Sequence, residues 1–270
     1  MIPVALSLAL AAALQIGASR TVLTVVVDSR DRAIVDLEAD DFVVRESGQP
    51  RDILSARVAD YPVVVLIDNG PQAGAELDVI KRAAVRFITR IGQRPVALGT
   101  LGDTPAIVAS FEDERAVVLE RLTGVRTASG SRTDLVRGMA AAAQAVRALD
   151  VPFSAIVVIA AGVGTPVEGA PTAWLQDILA SHSIVSGIVN RAHEPMTSIE
   201  QFRALAEQTH GQFAAIYSTL SYDIALDHLA DQMAGEMMID YIVPEGAPPK
   251  EDVTVGIRLP GLRVKGLGVR

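Results

Sequence analysis

The 270-residue sequence has no cysteine. That excludes disulfides, thiolate metal centres, cysteine nucleophiles and a lipid-anchored amino terminus in one step. It leaves the compartment open, because a cysteine-free protein is stable on either side of a membrane. Lysine is scarce, with only Lys81, Lys250 and Lys265 beside abundant arginine and alanine. This pattern reads as coding bias, so a single arginine carries little functional weight. The net charge of −8 and pI near 5.0 argue against a phosphate-backbone footprint. The locally basic end (Arg258, Arg263, Lys265, Arg270) reads as solvated strand faces.

Several enzyme signatures are missing as well. Gly70 to Gly74 (GPQAG) lacks the G-x-G-x-x-G spacing, and Pro71 removes an amide donor from that loop. The Gly162-to-Pro166 stretch has no Gly-Lys-Ser/Thr after it, and there is no G-x-S-x-G elbow. His182, His193, His210 and His228 form no H-E-x-x-H pair. Asp36, Glu38, Asp40 and Asp41 lack the regular spacing and glycine turn of a calcium loop, and read as a solvated turn. No internal repeat or low-complexity tract is visible.

What is present is a globular composition. Half the residues are hydrophobic, mean hydropathy is +0.33 and 21% of residues are charged, which excludes a disordered chain. The length allows one large domain, or a domain with an appendage. Residues 2–14 (IPVALSLALAAAL) form an apolar run shorter than the roughly 20 residues of a bilayer-spanning helix. Small residues at Gly17, Ala18 and Ser19 suit a signal-peptidase site, although no basic residue precedes the run. Residues 1–19 are therefore expected to be a signal peptide. The mature chain is expected to be exported, in the periplasm, on the cell surface or outside the cell, without a membrane span.

The pattern of elements then divides the chain. Residues 21–27, 41–45 and 53–58 read as short strands with polar turns, a β appendage over 20–60. Residues 62–67 (PVVVLI) and 155–160 (AIVVIA) are continuous apolar runs, as expected of strands buried on both faces. Further strands are expected at 96–101, 106–111, 184–189 and 213–216. Helices are expected at 76–91, 133–149, 172–181, 198–209 and 220–238, with Gly92 and Gly211 as stops. This alternation over 61–238 predicts an α/β fold, a doubly wound, mostly parallel Rossmann-like sheet with helices on both faces. Residues 239–270 return to β and are expected to pair with the amino-terminal appendage.

Ligands in such sheets collect at the carboxyl ends of the strands, where the strand order reverses. The loops to inspect read Asp68-Asn69-Gly70-Pro71-Gln72, Gly130-Ser131-Arg132-Thr133-Asp134-Leu135 and Ala160-Ala161-Gly162. An apolar strand ending in Asp, a Gly-x-x-Thr-Asp-Leu opening a helix, and an apolar strand ending before Gly together resemble a von Willebrand factor A domain. Both flanks resemble a secreted bacterial branch of that family. Leu37, Asp41, Phe42, Val44, Glu46 and Gly48 match its early segment, and Tyr241 and residues 259–266 (LPGLRVKG) match its close. The resemblance covers nearly everything after the leader and rests on the order of individually weak motifs.

The resemblance implies a metal-ion-dependent adhesion site built from Asp-x-Ser-x-Ser, a Thr from the second loop and an Asp from the third. Mg²⁺ takes about six oxygen ligands in near-octahedral array at about 2.1 Å. Asp68 and Thr133 match that set, whereas Gly70 and Gln72 replace the serines and Ala161 replaces the aspartate. Asn69, Gln72, Asp103 and Asp134 offer substitute oxygens. Without the metal, Asp68 would cap loop amides and Thr133 would cap a helix.

These features lead to a non-enzymatic, adhesion-like protein-interaction domain. Its rim or vestigial metal site would comprise Asp68, Asn69, Gly70, Gln72, Thr133, Asp134 and Ala161. No cofactor is expected, and the partner is expected to be another protein, not nucleic acid. The alternatives are a cation-dependent adhesion domain holding Mg²⁺ through substituted ligands, and an α/β nucleotide-binding enzyme using the Gly70–Gly74 turn.

Overall fold

In the computed structural model, which describes residues 18–130, 133–162, 173–191, 196–244 and 252–269, the chain opens with β1 (Ala18–Val27). Its β-branched run favours extended backbone. A 3-10 turn at Ala39–Asp41 leads into β2 (Phe42–Glu46), β3 (Gln49–Arg51) and β4 (Ile53–Val58). Of the expected leader, residues 1–19, residues 1–17 lie outside the described residues, whereas Ala18 and Ser19 open β1 and pair with Val243 and Ile242.

The α/β body follows as β5 (Val63–Ile67), α1 (Leu77–Arg90), β6 (Val96–Thr100), β7 (Ala106–Ala109), α2 (Arg115–Gly124), α3 (Leu135–Arg147), β8 (Ser154–Ala160), α4 (Ala173–Ala180), β9 (Ser183–Asn190), α5 (Met196–Gln208), β10 (Phe213–Ile216) and α6 (Ser221–Ala234). Its six strands lie in the order β10-β9-β8-β5-β6-β7. All pairs are parallel except β6 with β7, which close antiparallel. The sheet is doubly wound and mostly parallel, with helices on both faces.

Side-chain alternation along β5 separates the two cores. Val63, Val65 and Ile67 pack with α1, α2 and α6, whereas Val64 and Leu66 pack with α3, α4 and α5. On α1 the residues Leu77, Ile80, Ala84, Phe87 and Ile88 are buried at helical spacing. Burying a side chain such as Phe87 is worth about 1.5–3 kcal/mol. Gly92, at φ 77, ends this helix in the left-handed region that glycine enters without a Cβ penalty.

The last three strands are β11 (Glu236–Val243), β12 (Val253–Ile257) and β13 (Arg263–Val269). They interleave with the first ones in two sheets, β13-β1-β11-β4 and β12-β2-β3. Val22, Val26, Phe42, Val44, Ile239 and Tyr241 form a core between these sheets. The opposite face of the four-stranded sheet carries Leu23 and Met238 into the core of the body. The basic strand end is locally satisfied, since Arg263 and Lys265 lie 3.0 and 3.3 Å from Asp31.

Four elements differ from the sequence expectation, the first being the short β3, which pairs with β2 where only a polar turn was expected. Helix α2 was not anticipated, because only Val118 and Leu122 of it are fully buried and the apolar stripe is too narrow to show periodicity. The helix expected over 220–238 stops at Ala234, and β11 already begins at Glu236, so a boundary at 238/239 falls inside a strand. Met237 and Met238 favour helix by propensity, but pairing with β1 on one side and β4 on the other overrides that preference. Helix α5 turns at His210 (φ 61), one residue before the expected Gly211. Gly211 matters for space, because a Cβ there would sit 1.9 Å from the Val185 carbonyl oxygen.

Candidate functional site

The reversal of strand order falls between β5 and β8, and Asp68 and Ala161 end those two strands. Asp68 is fully buried, and its backbone N–H continues the ladder to the Ile159 carbonyl at 2.9 Å. Its Oδ1 accepts the Gly70 N–H at 2.9 Å and the Thr133 hydroxyl at 2.7 Å. Its Oδ2 accepts the Ala161 N–H at 3.1 Å. Burial pushes the Asp68 carboxyl up, and the donors from Thr133, Gly70 and Ala161 pull it back.

Asn69 ties the same loop to its neighbours. Its amide donates to the Arg126 carbonyl at 3.0 Å and accepts the Gly102 N–H at 2.8 Å, while its own carbonyl accepts the Ala128 N–H at 2.7 Å. Both ends of the Asn69 side chain are thus committed to backbone. Pro71–Ala73 form a 3-10 turn with Gln72 exposed. Asp134 caps α3, its carboxylate accepting the Arg137 N–H at 3.1 Å. Asp103 is exposed. Residues 131 and 132 lie outside the described residues.

The structure therefore brings Asp68, Gly70, Thr133 and Ala161 into direct contact, with Asn69 bracing the loop from the side. It leaves Gln72 outside the hydrogen-bond set of Asp68 and uses Asp134 as a helix cap. Position 70 has no side chain, position 161 has a methyl, and the Asp68 carboxylate oxygens face N–H and O–H groups.

A second polar group under the same rim was not legible in the sequence. Glu76, just before α1, accepts the Asn190 amide at 2.7 Å and the Tyr222 hydroxyl at 2.9 Å. The Tyr222 oxygen is also 2.9 Å from the carbonyl of Ala160, so Glu76, β8 and α6 meet at one hydroxyl and β9 joins them through the other oxygen of Glu76. Burial, and then the Glu76 charge, push the Tyr222 phenol well up. Asn190 ends β9, a position equivalent to Asp68 on β5, which was the one available sequence signal.

No protein-family model matches the sequence, and a search of curated proteins finds no match. Solved structures do match. The chain is similar to a von Willebrand factor type A protein from Catenulispora acidiphila, with TM-score 0.54 and 11% identity over 95% of this chain and 73% of that one. It is similar to proximal thread matrix protein 1 of the mussel byssus with a zinc-occupied MIDAS motif, with TM-score 0.56 and 11% identity over 70% of this chain and 49% of that one. The chain spans about half the length of the byssus protein. Human Sec24c of the COPII coat gives TM-score 0.50 and 9% identity over 77% of this chain and 43% of that one. At such identities the likeness speaks to fold alone. With the strand order, the helices on both faces and the loops converging on Asp68, it establishes that the chain has the fold of a von Willebrand factor type A domain.

Proposed function

We propose that the chain is an exported, non-enzymatic protein-interaction domain that engages a partner through the rim around Asp68 without a divalent cation. The observation that carries this reading is the convergence of three loops, after β5, before α3 and after β8, on a carboxylate already bonded by three protein donors. The rim keeps its scaffold while the positions that would hold an ion carry Gly70, Gln72 and Ala161. Among the described residues no helix is long and apolar enough to cross a membrane. Export rests on the leader read from residues 1–19.

The test is affinity capture with the full chain, in chelator and in millimolar Mg²⁺, beside a variant carrying Gln72→Arg and Thr127→Arg on exposed rim positions. The same protein retained in both buffers and lost with the rim variant supports the reading. Capture that requires Mg²⁺ would replace it with cation-dependent adhesion. Capture untouched by the rim substitutions would move the interface elsewhere.

A further inference from the structure

We infer that Asp68, Gly70 and Thr133 form a closed hydrogen-bonded clasp in the place where related domains build a metal site, and that the clasp excludes a side chain at position 70. This deepens the metal-independent reading of the rim and rests on it.

Both oxygens of the Asp68 carboxylate are already committed to protein donors. Asp68 meets three donors, the N–H groups of Gly70 and Ala161 and the hydroxyl of Thr133. The carboxylate is fully buried, so a cation reaching it must displace a donor that has no water to turn to. Thr133 donates its only proton to Asp68 at 2.7 Å.

A Cβ built on Gly70 would lie 2.3 Å from Thr133 Oγ1, 3.2 Å from Asp68 Oδ1 and 3.3 Å from the Thr133 backbone nitrogen. The first distance is far inside van der Waals contact, and its target is not a floppy chain end. Thr133 can withdraw only by giving up its bond to Asp68. A serine at position 70, the first hydroxyl of the family's motif, and the Thr133–Asp68 bond are therefore mutually exclusive. Gly70 is a steric requirement of the clasp, at φ −65, not a conformational one. The clasp also joins residues 65 and 93 positions apart in sequence, so it fixes the three rim loops relative to one another.

Thermal melts of the full chain test this, in chelator and in millimolar Mn²⁺ or Mg²⁺, for wild type, Thr133→Val, Thr133→Ser, Thr133→Ala, Gly70→Ser and the double variant Gly70→Ser/Thr133→Ala. The clasp predicts one wild-type midpoint in both buffers. It predicts a drop of several degrees for Thr133→Val and for Gly70→Ser, with Thr133→Ser near wild type. It also predicts that the double variant loses less than the sum of Gly70→Ser and Thr133→Ala, because removing the hydroxyl relieves the clash. A wild-type midpoint raised by metal, a Gly70→Ser chain as stable as wild type, or strictly additive losses would each overturn it. If Gly70→Ser does not fold, amide exchange on wild type decides: Gly70 and Ala161 protected equally with and without metal supports the clasp, and protection that appears only with metal refutes it. No partner enters these measurements, so their failure is distinguishable from failure of the rim as a binding surface.

Discussion

Arg94 and Glu236 meet at 3.2 Å where the α/β body joins β11, and both side chains are buried. The same guanidinium donates to the Met233 carbonyl at 2.6 Å and lies 4.1 Å from the centre of the Tyr61 ring. Tyr61 in turn donates its hydroxyl to Glu236 at 2.5 Å. Tyr61 precedes β5, Arg94 precedes β6 and Glu236 opens β11, so one ionic group joins the body to the sheet that both chain ends build. Arg94 Nε and Nη1 have no hydrogen-bond partner among the described residues, which makes the pair costly as well as specific.

Stability should fall as pH rises toward neutrality, with Glu236 as the responsible group. Burial pushes its carboxyl up from 4.5 to about 7, against the pull of Arg94 and then Tyr61. The folded chain holds the proton in that window and the unfolded chain does not. The contribution is therefore complete below about 4.5 and is lost as pH rises through about 7. For a shift of this size the change is on the order of 3 kcal/mol. Urea unfolding across this range should give a sloping profile for wild type and a flatter one for Glu236→Gln. Asp68, also shifted upward, contributes to both chains and cancels in the difference. Parallel profiles would assign the slope to another group.

Removing the cation should cost more than removing both charges. Arg94→Met leaves Glu236 buried beside Tyr61 alone, and breaking a buried pair this way costs about 3–5 kcal/mol. Adding Glu236→Gln in that background should recover a large part of the loss, because the remaining carboxamide still accepts from Tyr61 without a charge to desolvate. A double variant as unstable as Arg94→Met would show that the arginine acts through packing on Tyr61 and not through its charge.

How much of this was legible in sequence depends on where the signal lives. β5 and β8 announce themselves because a strand buried on both faces has no polar position, and α3 because cap-type residues precede a clean apolar stripe, although the cap is Asp134 and not the expected Thr133, whose hydroxyl bonds Asp68 instead. Asp68, Thr133 and Ala161 could be placed because each ends or begins such an element. The Gly70–Thr133 contact could not, since it is a through-space distance between residues 63 positions apart. Arg94, Glu236 and Glu76 were invisible for a related reason: an isolated charge among apolar residues looks the same whether it faces water or a buried partner. At the junction of α6 and β11, local preference pointed to helix and only the two flanking strands could decide otherwise.

Tyr222→Phe tests the second polar group under the rim. The hydroxyl is 2.9 Å from both Glu76 and the Ala160 carbonyl, in a residue with no exposed surface. The phenylalanine keeps the packing and removes the one proton that Glu76 and the Ala160 carbonyl share, an expected loss of about 1–3 kcal/mol. Because Ala160 adjoins Ala161, amide exchange at Ala161 should accelerate with it. Unchanged stability and unchanged exchange would show that water replaces the hydroxyl at no cost.

Ala161→Asp restores a carboxylate at the position where the family places one, and it should destabilise the chain. Ala161 is 3% exposed and its N–H already bonds Asp68, so the new group would enter a closed space beside a buried acid. Two carboxylates in one site cannot both ionise readily, and one of them holds its proton to a higher pH. The folded state would then bind the additional proton. The penalty should therefore be small in acid and grow as pH rises, reaching several kcal/mol at pH 8 on the scale of a buried unpaired charge. Denaturant unfolding of the variant and wild type at pH 5 and pH 8 separates this from simple overpacking, which also destabilises but with no preference between the two. A penalty equal at both pH values would assign the loss to overpacking, and no penalty at either would mean that the new side chain has turned out to solvent.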